Sequence, residues 1–493
     1  MSPHLIILQV VLPLLCAPLI VLLRSARLAW LLSLAVSWGT LLIAGALWWQ
    51  VDQSGPMSYA VGNWPAPWGI EVRVDRLSSF VLLLIGLSAA LVAPYARVSV
   101  AAELPDDQVY LLYSMYCLCL SGLLGMTVTG DAFNLFVFLE ISSLSTYVLI
   151  ALGRRRRALL AAYQYLLMGT VGATFYVIGV GLLYLMTGTL NMADMAARLG
   201  EVRELRPVIT ALAFITVGMG LKLALFPLHQ WLPNAYASAP SAVSAFLAAT
   251  ATKVSIYVLL RFWFSVFGAQ ALFTHLPIAE VLVALSLAAI VVASGVALFQ
   301  QDLKRLFAWS SVAQIGYITL GIGLANIQGL SAAIVHLFNH GLMKGAIFLA
   351  LGAVALRCGG VTTFEQVAGL GRRMPLAATT VLLGGLSLIG VPGTTGFITK
   401  WQLVQGALAG GQPWLAAMIV ATSLIAVGYV WRFVEAAWLR PPTALSAPPG
   451  EAPASMTWMA LLAGAACVYF GFDTTFTLDA ATAAARALLE YQP

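Results

Sequence analysis

Charged side chains lie inside long apolar runs of this sequence, where they are costly to place. These runs contain four of the five lysines and one glutamate, namely Glu140, Lys222, Lys253, Lys344 and Lys400. A charge at the centre of a lipid bilayer costs about 2.5–3.5 kcal/mol on insertion scales, and such residues normally face the protein interior or a wet path. The pattern indicates a route for ions, although Lys344 and Lys400 could instead extend to a membrane surface.

Proton transfer is the chemistry that suits a glutamate and lysines in this setting. Removal from water favours the neutral form of a lysine, whereas a neighbouring carboxylate favours its charged form. A Glu–Lys pair between helices can therefore hold or release a proton as its hydration and its separation change. We predict that Glu140 pairs with Lys222 and that Lys253 receives the proton next.

Two histidines, His336 and His340, precede Lys344 at a spacing of four residues, and all three side chains can carry protons. On an α-helix this spacing places them along one face, and histidine titrates near neutral pH. We expect these three residues to extend the proton route, with His229 as a further member. The histidines could alternatively serve packing or bind a metal. The sequence offers no third ligand, so no metal site is predicted.

The elements that must hold these residues are membrane-spanning helices. The 493 residues are 61% hydrophobic and only 9% charged, against roughly 25% charged in soluble domains. About fourteen apolar runs have the length of a transmembrane helix. The net charge of +6 comes mostly from arginines in short connections, such as 154–157. This bias predicts that both termini lie on the non-cytoplasmic side, and it explains the positive charge without a nucleic-acid partner. We expect a multi-pass protein of the bacterial plasma (inner) membrane with both termini in the periplasm.

Two of the apolar runs are interrupted close to a lysine. In one run Pro227 follows Lys222, and in the other Pro392 precedes Lys400. Proline removes a backbone donor and kinks or ends a helix. Backbone groups freed at membrane depth persist only inside protein or beside a wet cavity, and paired broken helices point to the ion site of a transporter. We therefore expect helix breaks at Pro227 and Pro392 that help to form the ion route.

Four motifs in combination resemble the antiporter-like membrane subunit family. They are GDAFNLFVFLE at 130–140, TGTLNMAD at 187–194, FPLHQWLP followed by APSAVS at 226–244, and HLFNHGLMK at 336–344. This family supplies subunits of Mrp-type multisubunit cation/proton antiporters, respiratory complex I and membrane-bound hydrogenases. Within the family, the TGTLNMAD motif is most similar to the D-type subunits of Mrp antiporters.

The resemblance implies an all-α polytopic membrane fold of about 14 transmembrane helices. It also implies two inverted five-helix repeats and broken helices 7 and 12. Glu140 would lie on helix 5, Lys222 on helix 7, Lys253 on helix 8 and Lys400 on helix 12, and the three residues from His336 to Lys344 would link the two half-channels. The implied divisions are 1–108 for helices 1–3, 109–267 for the first repeat, 268–440 for the second, and 441–493 for a linker and helix 14.

These expectations favour an ion-translocating subunit of a multisubunit complex that moves protons in exchange for a monovalent cation such as Na⁺ or K⁺. Its partners would be other membrane subunits and the lipid bilayer. The main alternative is a proton-pumping subunit of a complex I-like or hydrogenase-like redox complex. A third is a haem-carrying quinol enzyme that uses His336 or His340. Because the sequence lacks flavin, iron–sulfur and nucleotide motifs, we expect no cofactor and no redox or hydrolytic chemistry of its own.

Overall fold

The chain folds as a succession of helices with one short β-hairpin. The computed structural model describes residues 4–202, 205–274, 276–360 and 362–490, so the outermost ends of the first and last expected divisions lie outside the described residues. The helices are α1 (Leu5–Leu23), α2 (Ala26–Ser54), α3 (Arg76–Glu103), α4 (Asp106–Val128), α5 (Ala132–Ala151), α6 (Arg156–Thr187), α7 (Met192–Leu199), α8 (Leu205–Leu223), α9 (Trp231–Ser238), α10 (Ser241–Leu260), α11 (Ala269–Thr274), α12 (Ile278–Phe299), α13 (Leu303–Gly323), α14 (Ile327–Arg357), α15 (Leu370–Arg373), α16 (Pro375–Ile389), α17 (Thr395–Ala409), α18 (Pro413–Val434), α19 (Ala454–Phe472) and α20 (Thr475–Leu489). Two π-helical segments, Arg261–Phe267 and Glu435–Leu439, continue α10 and α18. Strands β1 (Met57–Ala60) and β2 (Glu71–Val74) pair antiparallel between α2 and α3.

Most of these helices are long and apolar enough to cross a membrane. Thirteen meet both conditions in the described part of the chain. Helices α16 and α17 have 15 residues each and follow one another across a short link at 390–394, so together they have the length of one further span. The predicted all-α polytopic membrane fold is confirmed, while the inverted relation of two five-helix repeats stays a prediction.

Helices α10, α13 and α14 are surrounded by other helices. In the most apolar stretch of each, 94% of the residues are buried, against 28% for α2. Small residues let membrane helices approach closely, and Gly341 on α14 is one such position. A Cβ there would lie 2.9 Å from the Ala249 carbonyl oxygen on α10 and 2.5 Å from a methyl carbon of Leu84 on α3. This close packing keeps the polar side chains of α10 and α14 away from lipid.

The chain leaves the helical conformation between α8 and α9, the stretch that contains Pro227. Helix α8 ends at Leu223, and Ala224 adopts a positive φ of 61°. The Leu221 carbonyl oxygen, which loses its helical donor there, accepts a hydrogen bond from the Trp231 indole N–H at 2.8 Å. The freed backbone group is thus satisfied inside the protein, as an interruption at membrane depth requires.

A second interruption separates α16 from α17 and contains Pro392. Helix α16 ends at Ile389, and Gly390 takes a φ of +86°, which is a conformation that favours glycine. The carbonyl oxygens of Leu388 and Ile389 accept hydrogen bonds from the Lys400 ammonium rather than from backbone donors. The break therefore creates the acceptors that hold a buried lysine.

The C-terminal segment contains one helix more than expected. The sequence indicated a linker followed by a single helix, whereas the structure has both α19 and α20. Helix α20 has only 15 residues, and its buried face consists largely of alanines, including Ala480, Ala481 and Ala484. This face packs against α14 and α3. The segment is too short and too polar to be read as a span from hydropathy alone.

Candidate ion-translocation site

Glu140 on α5 and Lys222 at the end of α8 lie next to each other. The Lys222 Nζ atom is 3.9 Å from the Glu140 Oε1 atom, with 4% of the lysine side chain and 24% of the glutamate side chain exposed. Lys222 also donates a hydrogen bond to the Ser143 hydroxyl at 2.6 Å. The ammonium is therefore shared between a neutral acceptor in direct contact and a carboxylate at the limit of ion pairing.

Lys253 on α10 is fully buried in the centre of the protein. Its ammonium donates a hydrogen bond to the Ala248 carbonyl oxygen, one turn earlier on the same helix. Within the described residues, the ion pairs do not include Lys253. The Lys253 ammonium is thus held by a carbonyl oxygen, whereas Lys222 has the Glu140 carboxylate nearby.

His336 and His340 on α14 stack on each other, with ring centroids 5.5 Å apart and an angle of 5° between the planes. The Nε2 atom of His336 lies 2.9 Å from the side-chain oxygen of Gln314, and its Nδ1 atom lies 2.9 Å from the Thr399 hydroxyl. An amide oxygen only accepts, so Nε2 donates to Gln314, and the Thr399 hydroxyl is the partner of Nδ1. These two contacts hold the His336 ring between α13 and α17.

Lys344, one turn further along α14, is completely buried. Its ammonium donates to the Phe307 carbonyl oxygen at 2.8 Å and to the Ser310 hydroxyl at 2.5 Å, both on α13. Lys400 on α17 is 8% exposed and donates to the Ile389 carbonyl oxygen at 2.6 Å. Neither lysine extends to a membrane surface, which removes the alternative that the sequence left open for them.

His229 lies in the interruption between α8 and α9. Its ring stacks on Phe226 at a centroid distance of 5.1 Å and meets the Trp309 ring edge-on at 5.2 Å. Besides these ring contacts, the His229 side chain has a hydrogen bond with the backbone of Pro227. His229 therefore packs against the break beside Lys222.

Two further basic side chains have partners distant in the sequence. Asp302 caps α13 and places Lys304 in its buried first turn, where Lys304 donates to the Ser241 hydroxyl at 3.0 Å. Arg432 donates to the Leu298 and Gln300 carbonyl oxygens at the end of α12.

An ion pair between distant parts of the chain lies next to the β1–β2 hairpin. Asp75, just before α3, pairs with Arg261 at the end of α10. Burial by itself would raise the pKa of Asp75, but the Arg261 guanidinium and hydrogen bonds from Ser78 lower this pKa to about 2. Asp75 and Arg261 lie 186 positions apart in the sequence. An arginine at the end of an apolar run is also an ordinary topology signal, so no local pattern indicates that these two residues pair.

The site residues fall within a region that matches a known family. The family described as NADH:quinone oxidoreductase/Mrp antiporter, TM, matches residues 129–426, which is more than half of the chain. The chain is a member of this family. All eight residues predicted for the proton route lie inside the matched region. The chain is therefore an ion-translocating membrane subunit of a multisubunit complex.

Three relatives of this family member are similar over most of its length. NADH-quinone oxidoreductase subunit N of Desulforudis audaxviator is 41% identical, with 96% of each chain covered. The D-type subunit of the Na(+)/H(+) antiporter of Alkalihalophilus pseudofirmus is 31% identical, over 81% of this chain and 80% of that one. A chain in the structure of the Mrp complex from Dietzia sp. DQ12-45-1b is 26% identical, with a TM-score of 0.90 over 99% of this chain and 98% of that one.

Proposed function

We propose that this subunit moves protons along a polar axis in exchange for a monovalent cation, Na⁺ or K⁺. The axis runs through Glu140, Lys222, Lys253, His340, His336, Lys344 and Lys400, with His229 beside its first break. The observation that carries the proposal is the separation of 3.9 Å between Lys222 and Glu140, with a serine hydroxyl as the second partner of the lysine. The Lys222 ammonium therefore has two binding partners, the Ser143 hydroxyl and the Glu140 carboxylate.

The first step takes place at the interruption of α8. When Glu140 is ionised, its charge favours the ammonium form of Lys222; when it is protonated, burial favours the neutral amine. Proton uptake by the carboxylate therefore promotes proton release from the lysine. Lys253, which has only a carbonyl partner, is the next acceptor along the axis.

The later steps pass through α14 to the second interruption. The stacked rings of His336 and His340 lie on the same helix as Lys344. Lys400 follows, because Thr399 beside it bonds to His336. Hydroxyl and carbonyl partners dominate this part of the route, so a proton that arrives there meets bases with no fixed counter-charge and is readily passed on.

The subunit acts, in this proposal, in a bacterial plasma (inner) membrane with both termini in the periplasm. The positive residues of the 154–157 connection would then face the cytoplasm. The proposed divisions are 1–108, 109–267, 268–440 and 441–493, with the two middle divisions as inverted repeats. The partners are other membrane subunits, and support for them comes from the similarity to a chain of an Mrp complex.

A redox-coupled proton pump is the second candidate. It is favoured by the identity of 41% with a protein named NADH-quinone oxidoreductase subunit N, which is higher than the 31% with the D-type subunit of a Na(+)/H(+) antiporter. In that case the same axis would move protons, but the driving reaction would belong to partner subunits.

One measurement separates the two candidates. The intact complex is reconstituted in vesicles with an imposed pH gradient, and Na⁺ or K⁺ is added without any reductant. Antiport predicts that the cation dissipates the gradient, that Lys222→Ala abolishes the effect and that the exposed control Arg440→Ala retains it. Absence of dissipation by the cation, with proton pumping only after a reductant and a quinone are added, would contradict antiport and favour the second candidate.

A further inference from the structure

A cavity of about 400 Å³ lies where α10 ends, next to the β1–β2 hairpin. Its wall includes Asp75, Tyr257, Arg261 and Ser265, together with backbone and side chains from β2, α2 and α20. Charges of both signs line it, and Asp52 and Arg73 at its edge are exposed. Charged side chains thus lie among apolar residues in the wall of this cavity, which we call the vestibule.

A row of side chains on α10 leads from the proposed proton axis to this cavity. Lys253, Tyr257 and Arg261 are spaced four apart, so they lie along one face of the helix. Lys253 is fully buried, Tyr257 is 3% exposed, and 12% of the Arg261 side chain is exposed. Exposure thus increases step by step from the lysine towards the cavity.

The middle of this row is closed by hydrogen bonds. The Tyr257 hydroxyl donates to the Thr127 carbonyl oxygen at 2.7 Å and accepts from Arg261 Nε at 3.0 Å. The other end of the guanidinium pairs with Asp75. The ring of Tyr257 and this ion pair therefore occupy the space between Lys253 and the vestibule.

The helix itself changes geometry at this point. From Arg261 to Phe267 the backbone continues as a π-helix, and such segments are rare and frequently lie at functional sites. Ser265 lies within the π-helical segment and lines the cavity. The irregular backbone thus coincides with the ion pair and with the wall of the vestibule.

We propose that Tyr257, Arg261 and Asp75 form a gated port through which protons pass between Lys253 and the 400 Å³ cavity. The Asp75–Arg261 ion pair holds the port closed, and separation of the pair frees the Tyr257 ring to move and admits water. The port rests on the proposed function, since it gives the axis a connection to one membrane surface. Tyr257, Arg261 and Asp75 control the passage of protons and do not determine which cation is exchanged.

The first test uses Asp75→Asn, because asparagine keeps the helix cap but loses the charge. Asp131→Asn is the matched control, since Asp131 caps α5 through the Asn134 N–H without an ion pair. In vesicles that contain the intact complex, we expect the proton leak without added cation to rise about tenfold in Asp75→Asn, as the closed state loses a charge-assisted hydrogen bond. A leak equal to that of Asp131→Asn would overturn the proposal.

The second test probes the cavity directly and does not depend on the stability of the ion pair. Ser265→Cys and the control Tyr184→Cys are made in a Cys358→Ser background, and each is treated with a membrane-impermeant sulfonate thiol reagent from either side. Tyr184 is half exposed and lines a separate cavity of about 520 Å³. The transport rate of each variant is compared before and after treatment. For Ser265→Cys we expect the rate to fall when the reagent is added on one side of the membrane and to stay unchanged when it is added on the other.

Three outcomes of the second test would overturn the port: no reaction at Ser265→Cys, reaction without loss of transport, or equal loss in Tyr184→Cys. Failure of the proposed function has a different signature. In that case Lys222→Ala would transport like its control Arg440→Ala, whatever the result at Ser265. The two proposals can therefore fail separately.

Discussion

Lys222 donates a hydrogen bond to Ser143 at 2.6 Å, which is shorter than the 3.9 Å that separates its ammonium from the Glu140 carboxylate. Two unit charges at such a separation attract each other by about 4 kcal/mol in a partly polar protein interior. The serine hydroxyl offers a neutral alternative that keeps the lysine from closing on the carboxylate. The geometry thus holds the pair at a distance where a change of protonation can move it.

Removal of the Ser143 hydroxyl should slow transport. In Ser143→Ala the ammonium loses its neutral acceptor and pairs more closely with Glu140, so we expect the rate of proton exchange to fall about tenfold, the change produced by about 1.4 kcal/mol in a barrier. Ser145→Ala is the control, because the Ser145 hydroxyl donates only to the Ile141 carbonyl oxygen of its own helix. Equal rates in the two variants would exclude a role for the hydroxyl.

The second helix break offers a test that separates backbone strain from transport. Gly390 and Gly411 both have positive φ, of 86° and 68°, but a Cβ on Gly390 would lie 2.7 Å from the Lys400 side chain, whereas one on Gly411 would meet nothing within 4 Å. We expect Gly390→Ala and Gly411→Ala each to lose about 1–2 kcal/mol of stability. Only Gly390→Ala should slow exchange, because it displaces Lys400. A comparable loss of exchange in Gly411→Ala would contradict this account.

The Asp75–Arg261 pair predicts a specific pH dependence of stability. The pKa of Asp75 is lowered to about 2 in the folded protein, against about 3.9 in an unfolded chain. Its contribution is therefore complete above the unfolded value and is lost as the pH falls through the folded value. We expect the difference in thermal midpoint between the parent and Asp75→Asn to be the same at pH 5 and pH 8. A difference that vanishes between these pH values would show that another group titrates with the pair.

The sequence was sufficient to predict the membrane fold and to single out the charged residues that we propose for the axis. The reason is energetic: a charge such as Lys253 inside an apolar run has a cost that demands a functional or structural explanation. Helix spacing then grouped His336 with His340 and Lys344, and the two prolines located the interruptions. These inferences depend on residue type and on local spacing, which the sequence contains in full.

The partners of these residues could not be predicted in the same way. Lys253, Lys344 and Lys400 all donate to backbone carbonyl oxygens, and every residue carries a carbonyl, so no sequence pattern marks them. Lys304 likewise donates to Ser241 on another helix, 63 positions away, which no local pattern indicates. The Asp75–Arg261 pair depends on the packing of α3 against α10, which local patterns do not encode.

The central claim is that protonation of Glu140 promotes proton release from Lys222. Its most direct test is the rate of cation-dependent proton exchange in vesicles that contain the assembled complex, measured for Glu140→Gln and for the control Glu435→Gln. Glu435 pairs with Arg440 at the protein surface, so its replacement removes one carboxylate away from the axis. The account predicts that exchange is lost in Glu140→Gln and retained in Glu435→Gln. Exchange at the parental rate in Glu140→Gln would contradict it.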